Sequence, residues 1–272
     1  MHNMEWFNSL NLCSFNLKIN RKIIISWCIA MFSFMFLYMI LFPSIQEIAQ
    51  VKLDAMPNEL LEFVGMENFS DMSNFVSYFG IIFNLAIVAI SIFAATFSAN
   101  LYLKEEKFKT IEFLSSLEIS RKEIYIAKLM TAVVTVIVVL FSSVIAVLIC
   151  GVINGGETFS APKILMIVKI AGFTPFFFGA IGLCLSAVSA KIGASSIGGM
   201  AVIFSYLAGY LGNILEEKTL WLKYFSPFEL FQSKHAQSPD GTILAALALY
   251  AVLLVGMYIT GALIYNRRDF VV

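Results

Sequence analysis

The feature that most constrains this chain is a series of long apolar runs without charge. Two of them, Met72–Leu103 and Leu129–Gly156, contain no Asp, Glu, Lys or Arg. A helix that crosses a bilayer needs about 20 mainly apolar residues, because the hydrocarbon core is about 30 Å thick and each residue advances about 1.5 Å. Each of these runs is therefore long enough to cross a membrane as a helix.

The composition supports a membrane protein built of helices. Hydrophobic residues make up 60% of the 272 residues, charged residues make up 13%, and the mean hydropathy is +0.86. The runs are continuously apolar and lack the two-residue alternation of barrel strands. We predict an all-α membrane protein with one domain over residues 1–272 and six transmembrane helices. The predicted spans lie near residues 23–42, 78–102, 126–150, 166–188, 193–213 and 242–264.

The distribution of basic residues predicts the orientation. Most of the 18 Lys and Arg residues fall in the two terminal segments and in the loops after the second and fourth spans. Since cytoplasmic loops carry an excess of Lys and Arg, both termini and these loops are predicted to be cytoplasmic. The segment between the first two spans is acidic instead.

Three segments outside this simple pattern have their own predicted structures. Residues 1–22 contain apolar side chains among polar ones. This mixture predicts an amphipathic helix that lies on the cytoplasmic membrane face, and a frayed tail is the alternative. Pro175, with Gly172 nearby, predicts a kink in the fourth span. The aromatic segment 216–240, around Ser226-Pro227, predicts a re-entrant or interfacial helical turn.

A charged island, Lys104–Lys128, separates the second and third apolar runs. Within it, an apolar residue recurs every three positions and gives one apolar stripe on a short helix: Phe108, Ile111, Leu114 and Leu117. Ser120 and Glu123 then match the capping box S-x-x-E. A second helix is therefore predicted to start near Arg121 and to continue into the third span.

Several kinds of chemistry are absent from the sequence. No phosphate-binding loop of the G-x-x-x-x-G-K-[ST] type occurs, so this chain is not expected to hydrolyse ATP. The two histidines and four cysteines form no metal-binding or catalytic pattern, and the cysteines are interpreted as small apolar residues. The formal net charge of zero suggests no nucleic-acid partner.

The chain resembles the permease subunits of ABC-2-type transporters, both in its six spans and in the charged island. The matching residues are Lys104-Glu105-Glu106, Thr110–Leu114, Leu117–Arg121, Ile124 and Ala127–Leu129, with Asn74-Phe75, Tyr78-Phe79 and Ser226–Phe228 elsewhere. Two positions depart from the family pattern. Lys109 stands where glycine is common, and Glu118 stands where proline is common.

The resemblance implies a permease of a bacterial cytoplasmic membrane that works as a homodimer or with a paralogue. Two copies of a separate cytoplasmic ATPase would carry ATP and Mg²⁺. The helix Phe108–Leu117 would be the coupling helix seated on that ATPase, and a polar hinge would connect the island to the N-terminal helix. The implied ATPase-coupling residues are Glu105, Glu106, Phe108, Thr110, Ile111, Glu112, Phe113, Leu114, Leu117 and Arg121.

Two other classes of protein stay open. A secondary transporter or channel would be expected to carry ionisable residues within the membrane, and Lys169, near the outer rim, is the one candidate. A non-transporting assembly or sensory subunit could use the same fold. The sequence leaves the substrate unknown, although an apolar, aromatic-rich path suits amphipathic peptides, lipids or hydrophobic drugs. The export direction follows from the resemblance alone.

Overall fold

The computed structural model describes residues 2–55, 73–107, 120–188, 193–214, 226–232 and 241–267, with the side chains of 2–8, 49–55, 105–107, 213 and 214 outside that description. All regular structure in these ranges is helical. The helices are α1 (His2–Ile40), α2 (Phe42–Ala55), α3 (Phe75–Lys107), α4 (Arg121–Asn154), α5 (Ala161–Ala171), α6 (Phe173–Val188), α7 (Ala194–Ile214), α8 (Pro227–Leu230) and α9 (Gly241–Arg267), with a 3-10 turn at Gly156–Thr158.

The prediction of six spanning helices is confirmed. Among the described residues, six helical stretches are long and apolar enough to cross a membrane: Ser9–Ile48, Phe75–Lys104, Arg121–Asn154, Ala161–Val188, Ala194–Gly212 and Gly241–Arg267. Each overlaps one predicted span. We call the end of the bundle where α3 ends and α4 begins the island end, and the opposite end the far end.

The N-terminal segment departs from its prediction. Residues 2–40 form one α-helix, so no boundary separates the expected interfacial helix from the first span. The physical reason is that these residues include no proline or glycine to end the helix. The segment predicted to lie on the membrane face is thus continuous with the first span, and α1 runs parallel to α4. Ser9 contacts Glu123 at the island end, and Asn154 contacts Ile40 at the far end.

The predicted kink in the fourth span is a complete helix break. Helix α5 ends at Ala171, and α6 begins at Phe173. Pro175 explains the position, because a proline ring collides with the carbonyl group four residues earlier, here that of Ala171. The Gly172 amide donates to the Val168 carbonyl over 2.9 Å and closes the last turn of α5.

Helix α3 lies at the centre of the bundle and packs against α1, α4, α5, α6 and α7. Small residues permit the closest of these approaches. A Cβ added at Gly182 of α6 would collide with the carbonyl oxygen of Ala95 on α3, and one added at Gly198 of α7 would lie 3.4 Å from the Ala95 Cβ. Close helix contacts of this kind need glycine or alanine.

Aromatic residues close the far end. Phe42 and Phe75 lie with ring centroids 5.1 Å apart, and Phe159 packs edge-on against Phe75 at 5.8 Å. The short helix α8 packs inward: Phe231 is 1% exposed, and Phe228 stacks on Phe178 at 5.2 Å. Within its described residues, the segment 216–240 therefore contains the helical turn that the sequence predicts.

Candidate functional site

The candidate site is the island end, where the residues predicted to couple to an ATPase leave and re-enter the bundle. The stretch 108–119 lies outside the described residues, so the predicted coupling helix and seven of its residues have no structural account: Phe108, Thr110, Ile111, Glu112, Phe113, Leu114 and Leu117. Glu105 and Glu106 belong to the last turn of α3, with their side chains undescribed. Arg121 is the first residue of α4.

The capping box at the start of α4 is present as predicted. Ser120 has extended backbone angles, φ −70° and ψ 150°, as an N-cap residue requires. The Glu123 amide donates to the Ser120 hydroxyl oxygen over 3.2 Å, and the Ser120 amide donates to the Glu123 carboxylate over 2.6 Å. These two bonds satisfy amides that have no partner inside the helix. The chain therefore re-enters the bundle at a defined residue.

We expect Ser120→Ala to lower the free energy of unfolding by about 1 kcal/mol, because it removes the cap acceptor. The matched control is Ser196→Ala, an exposed serine in the first turn of α7, which should be near neutral. Denaturant titration of the purified protein measures both values. Equal stability of the two variants would contradict a structural role for the cap.

Arg121 connects the start of α4 to the end of α9. Its guanidinium donates to the main-chain carbonyl of Asn266 over 3.4 Å. A cation is favourable at a helix C-terminus, where carbonyl groups lack partners within the helix. The bond is exposed, so its contribution to stability is small. Its consequence is positional, since it joins the start of α4 to the last turn of α9.

A buried lysine, whose role the sequence alone did not indicate, anchors the same end. Lys128 is 1% exposed, and its Nζ lies 4.9 Å from the ring centroid of Tyr102 and 5.9 Å from that of Tyr265. These are cation–π distances. From the sequence, Lys128 is one of many basic residues that predict the orientation of the chain. No pattern within α4 indicates its role, because Tyr102 and Tyr265 belong to other helices.

The tyrosines around Lys128 join three helices. The Tyr102 hydroxyl of α3 donates to the Tyr125 carbonyl of α4 over 2.8 Å, and the Tyr125 hydroxyl donates to the Tyr258 carbonyl of α9 over 2.9 Å. The rings of Tyr102 and Tyr265 also meet edge to face at 5.5 Å. A displacement of either helix next to the island would therefore strain the contacts with α9.

Helix α1 completes the island end. The Ser9 hydroxyl donates to the Glu123 carbonyl over 3.4 Å, and the Lys104 ammonium donates to the Asn20 side-chain oxygen over 3.5 Å. A groove of about 330 Å³ runs between α1 and α3 beside this contact, with Trp27 and Thr96 in its walls. Four helices thus meet around the two points where the island leaves and re-enters the bundle.

In the part of the chain that the structure describes, no three His, Cys, Asp or Glu side chains lie together so as to hold a metal ion. The groups described at the island end include two lysines, an arginine, a glutamate, tyrosine rings and helix termini. Such groups bind and position other segments, and they suit an interface or a mechanical joint.

The described part of the chain defines a multi-pass membrane protein, with six apolar helices and a capped helix start where the chain re-enters the bundle after the charged island. A sequence model of the family described as "Multidrug efflux system permease Rv1217c, C-terminal domain" matches residues 12–262. The match covers nearly the whole chain, and the chain belongs to this family of transporter permeases. No curated protein matches the chain.

Proposed function

We propose that this chain is the membrane-spanning permease subunit of an ATP-driven exporter of the ABC-2 type, in a bacterial cytoplasmic membrane. It would form the substrate path as a dimer, with itself or with a paralogue. Each subunit would dock on a separate cytoplasmic ATPase that holds ATP and Mg²⁺. The family description, which names multidrug efflux, supports drugs as substrates. The apolar, aromatic-rich composition of the spans supports hydrophobic or amphipathic ones among them.

The observation that carries this proposal is the anchoring of both ends of the island. Helix α4 starts at the capped Ser120, and Lys128 fixes α4 against tyrosines of α3 and α9. A loop that only sets topology has no need of such fixed ends. A loop that transmits force does, because a push on 108–119 reaches the spans only through rigid connections.

The lengths of the helices also support a projecting loop. The parallel contact between α1 and α4 extends from Ser9 and Glu123 to Ile40 and Asn154. At about 1.5 Å per residue this is roughly 47 Å, against a hydrocarbon core of about 30 Å. At least one end of this helix pair therefore extends beyond the hydrocarbon. We assign that end to the cytoplasm, where the predicted coupling helix Phe108–Leu117 would meet its ATPase.

The decisive variant is Glu112→Arg combined with Phe113→Ala, within the predicted coupling helix. We expect the wild-type chain to copurify with its ATPase. The double variant should bind that ATPase at least about tenfold more weakly, because removing central interface contacts costs about 1.4 kcal/mol or more. Copurification in detergent and the ATPase rate of the complex measure this.

The matched control makes the same two kinds of change elsewhere: Glu157→Arg at the far end with Phe204→Ala, a phenylalanine that is 75% exposed on α7. It should bind the ATPase like the wild type. If no ATPase copurifies with the wild type, or if the island variant behaves like the control, the island is a topological loop. The proposal of an ATP-driven permease would then be wrong.

A further inference from the structure

A cavity of about 110 Å³ lies beside the break between α5 and α6, in the half of the bundle toward the far end. Its walls come from five elements: Asn84 of α3, Ala171 of α5, Thr174 of α6, Tyr206 of α7, and Ser226 and Glu229 at α8. The volume is enough for several water-sized groups. None of these residues belongs to the candidate site at the island end.

Two hydroxyl groups in the cavity wall have unused hydrogen-bonding capacity. Thr174 is 1% exposed and Ser226 is fully buried, and neither hydroxyl has a hydrogen-bond partner within the described ranges. Buried polar groups without partners are destabilising, so they are rare unless something binds them. Of the five buried hydroxyls that lack a partner in the described ranges, those of Thr174 and Ser226 line this one cavity, which makes the cavity a candidate site for a bound polar group.

Thr174 lies just after the helix break. Thr96 and Thr131 each donate to the main-chain carbonyl four residues earlier in their own helix, over 2.8 Å and 2.7 Å. For Thr174 that carbonyl belongs to Ile170, on the other side of the break. Thr174 is thus a buried polar side chain beside the break, and it lines the cavity.

The charge and the rings of the cavity point to a cation. Glu229 supplies a carboxylate, and Gln232 holds it by donating its side-chain amide over 2.6 Å. None of the described residues that line the cavity is Lys, Arg or His. Aromatic rings complete the walls, and one of them, Tyr210, is 57% exposed, so the cavity reaches the surface of α7.

We propose that this cavity binds the protonated amine of an amphipathic substrate. A primary ammonium group has three N–H donors, which match the Thr174 and Ser226 hydroxyl oxygens and the Glu229 carboxylate. Tyr206 and Phe228 provide aromatic surface for the cation and for the adjoining hydrocarbon. A bare metal ion needs oxygen ligands on all sides, whereas these rings cover part of the wall. The inference rests on the proposed export of amphipathic compounds. It adds that these compounds carry a positively charged amine and that they bind in this cavity.

The test measures binding of hexylammonium chloride to the purified full-length chain in nanodiscs of zwitterionic lipid, by calorimetry against empty nanodiscs. Hexanol, the neutral analogue, and sodium chloride are titrated in parallel. We expect saturable binding of hexylammonium, at least about tenfold tighter than hexanol. Glu229→Gln should weaken it by at least about tenfold, since bonds to a charged group are the strong ones. Glu157→Gln, an exposed glutamate at the far end, should leave it unchanged.

A second variant separates binding from folding. Thr174→Val keeps the shape of the side chain and removes the unpartnered hydroxyl. It should weaken hexylammonium binding about three- to tenfold while leaving the unfolding midpoint unchanged or raised. A purely structural role for Thr174 would lower the midpoint instead.

Three results would overturn the proposal. Equal binding by the wild type and Glu229→Gln would exclude the carboxylate, and equal binding of hexanol would make the cavity an apolar site. Saturable sodium binding that Glu229→Gln abolishes would make it an inorganic cation site. Because the assay contains no ATPase, its failure leaves the coupling proposal standing. Failure to recruit an ATPase likewise leaves amine binding measurable.

Discussion

Replacing Gly182 by alanine should destabilise the bundle by about 1–3 kcal/mol, the usual effect of forcing an extra methyl group into a packed core. The added Cβ would collide with the main-chain carbonyl of Ala95, and its next contacts are other main-chain atoms of the same residue. A side chain could rotate away, but the backbone of α3 cannot. Helices α3 and α6 must therefore separate, at the centre of the bundle.

The control for this prediction is Gly256→Ala on α9. A Cβ added there meets no atom within 4 Å. Since alanine favours a helix over glycine by about 1 kcal/mol, this variant should be neutral or stabilised. The two glycine-to-alanine changes thus have opposite expected signs. The fraction unfolded in a denaturing-detergent titration measures both, and a stabilised Gly182→Ala would show that the close packing of α3 and α6 is wrong.

Replacing Lys128 by glutamate should destabilise the protein by about 3 kcal/mol or more, the range found when a buried charge loses its compensation. The faces of the Tyr102 and Tyr265 rings carry partial negative charge and attract the lysine ammonium. A carboxylate at the same position would be repelled by both rings. It would also be buried, because Lys128 is 1% exposed.

Lys122→Glu provides the matched control, because Lys122 lies on the same helix and is exposed. It changes the net charge by the same amount as Lys128→Glu. It also removes one of the basic residues that predict the orientation of the chain. Its effect on stability should stay within about 0.5 kcal/mol. Thermal unfolding of both variants in detergent measures the difference. If the two variants lose equal stability, Lys128 only contributes a basic charge that orients the chain in the membrane. The tyrosine cluster would then not anchor the island.

The predicted spans came from local composition, and local composition was sufficient for them. Any uncharged apolar run of this length must satisfy its backbone hydrogen bonds within itself in a membrane, which makes it a helix. The start of α4 was equally local, because a capping box needs only Ser120 and Glu123. The N-terminal boundary was missed because a change from apolar to mixed composition does not end a helix. Glycine or proline does so, and both are absent before Pro43.

The roles of Lys128 and Thr174 could not be read from their own segments. Lys128 acquires its role from Tyr102 and Tyr265, which belong to other helices. Thr174 faces a cavity whose other walls come from α3, α5, α7 and α8. Sequence patterns describe one helix at a time, whereas both environments depend on which helix faces are brought together.

Apolar runs, a proline and the charged island were sufficient to predict six membrane helices, a distortion of the fourth span near Pro175 and the start of α4. Each of these follows from interactions between residues that lie close together in the sequence. Only the assembled bundle decided which charge is buried, which hydroxyl groups lack partners and how α1 lies along α4. Those outcomes depend on packing between helices distant in sequence, where small residues such as Gly182 permit the backbones to meet.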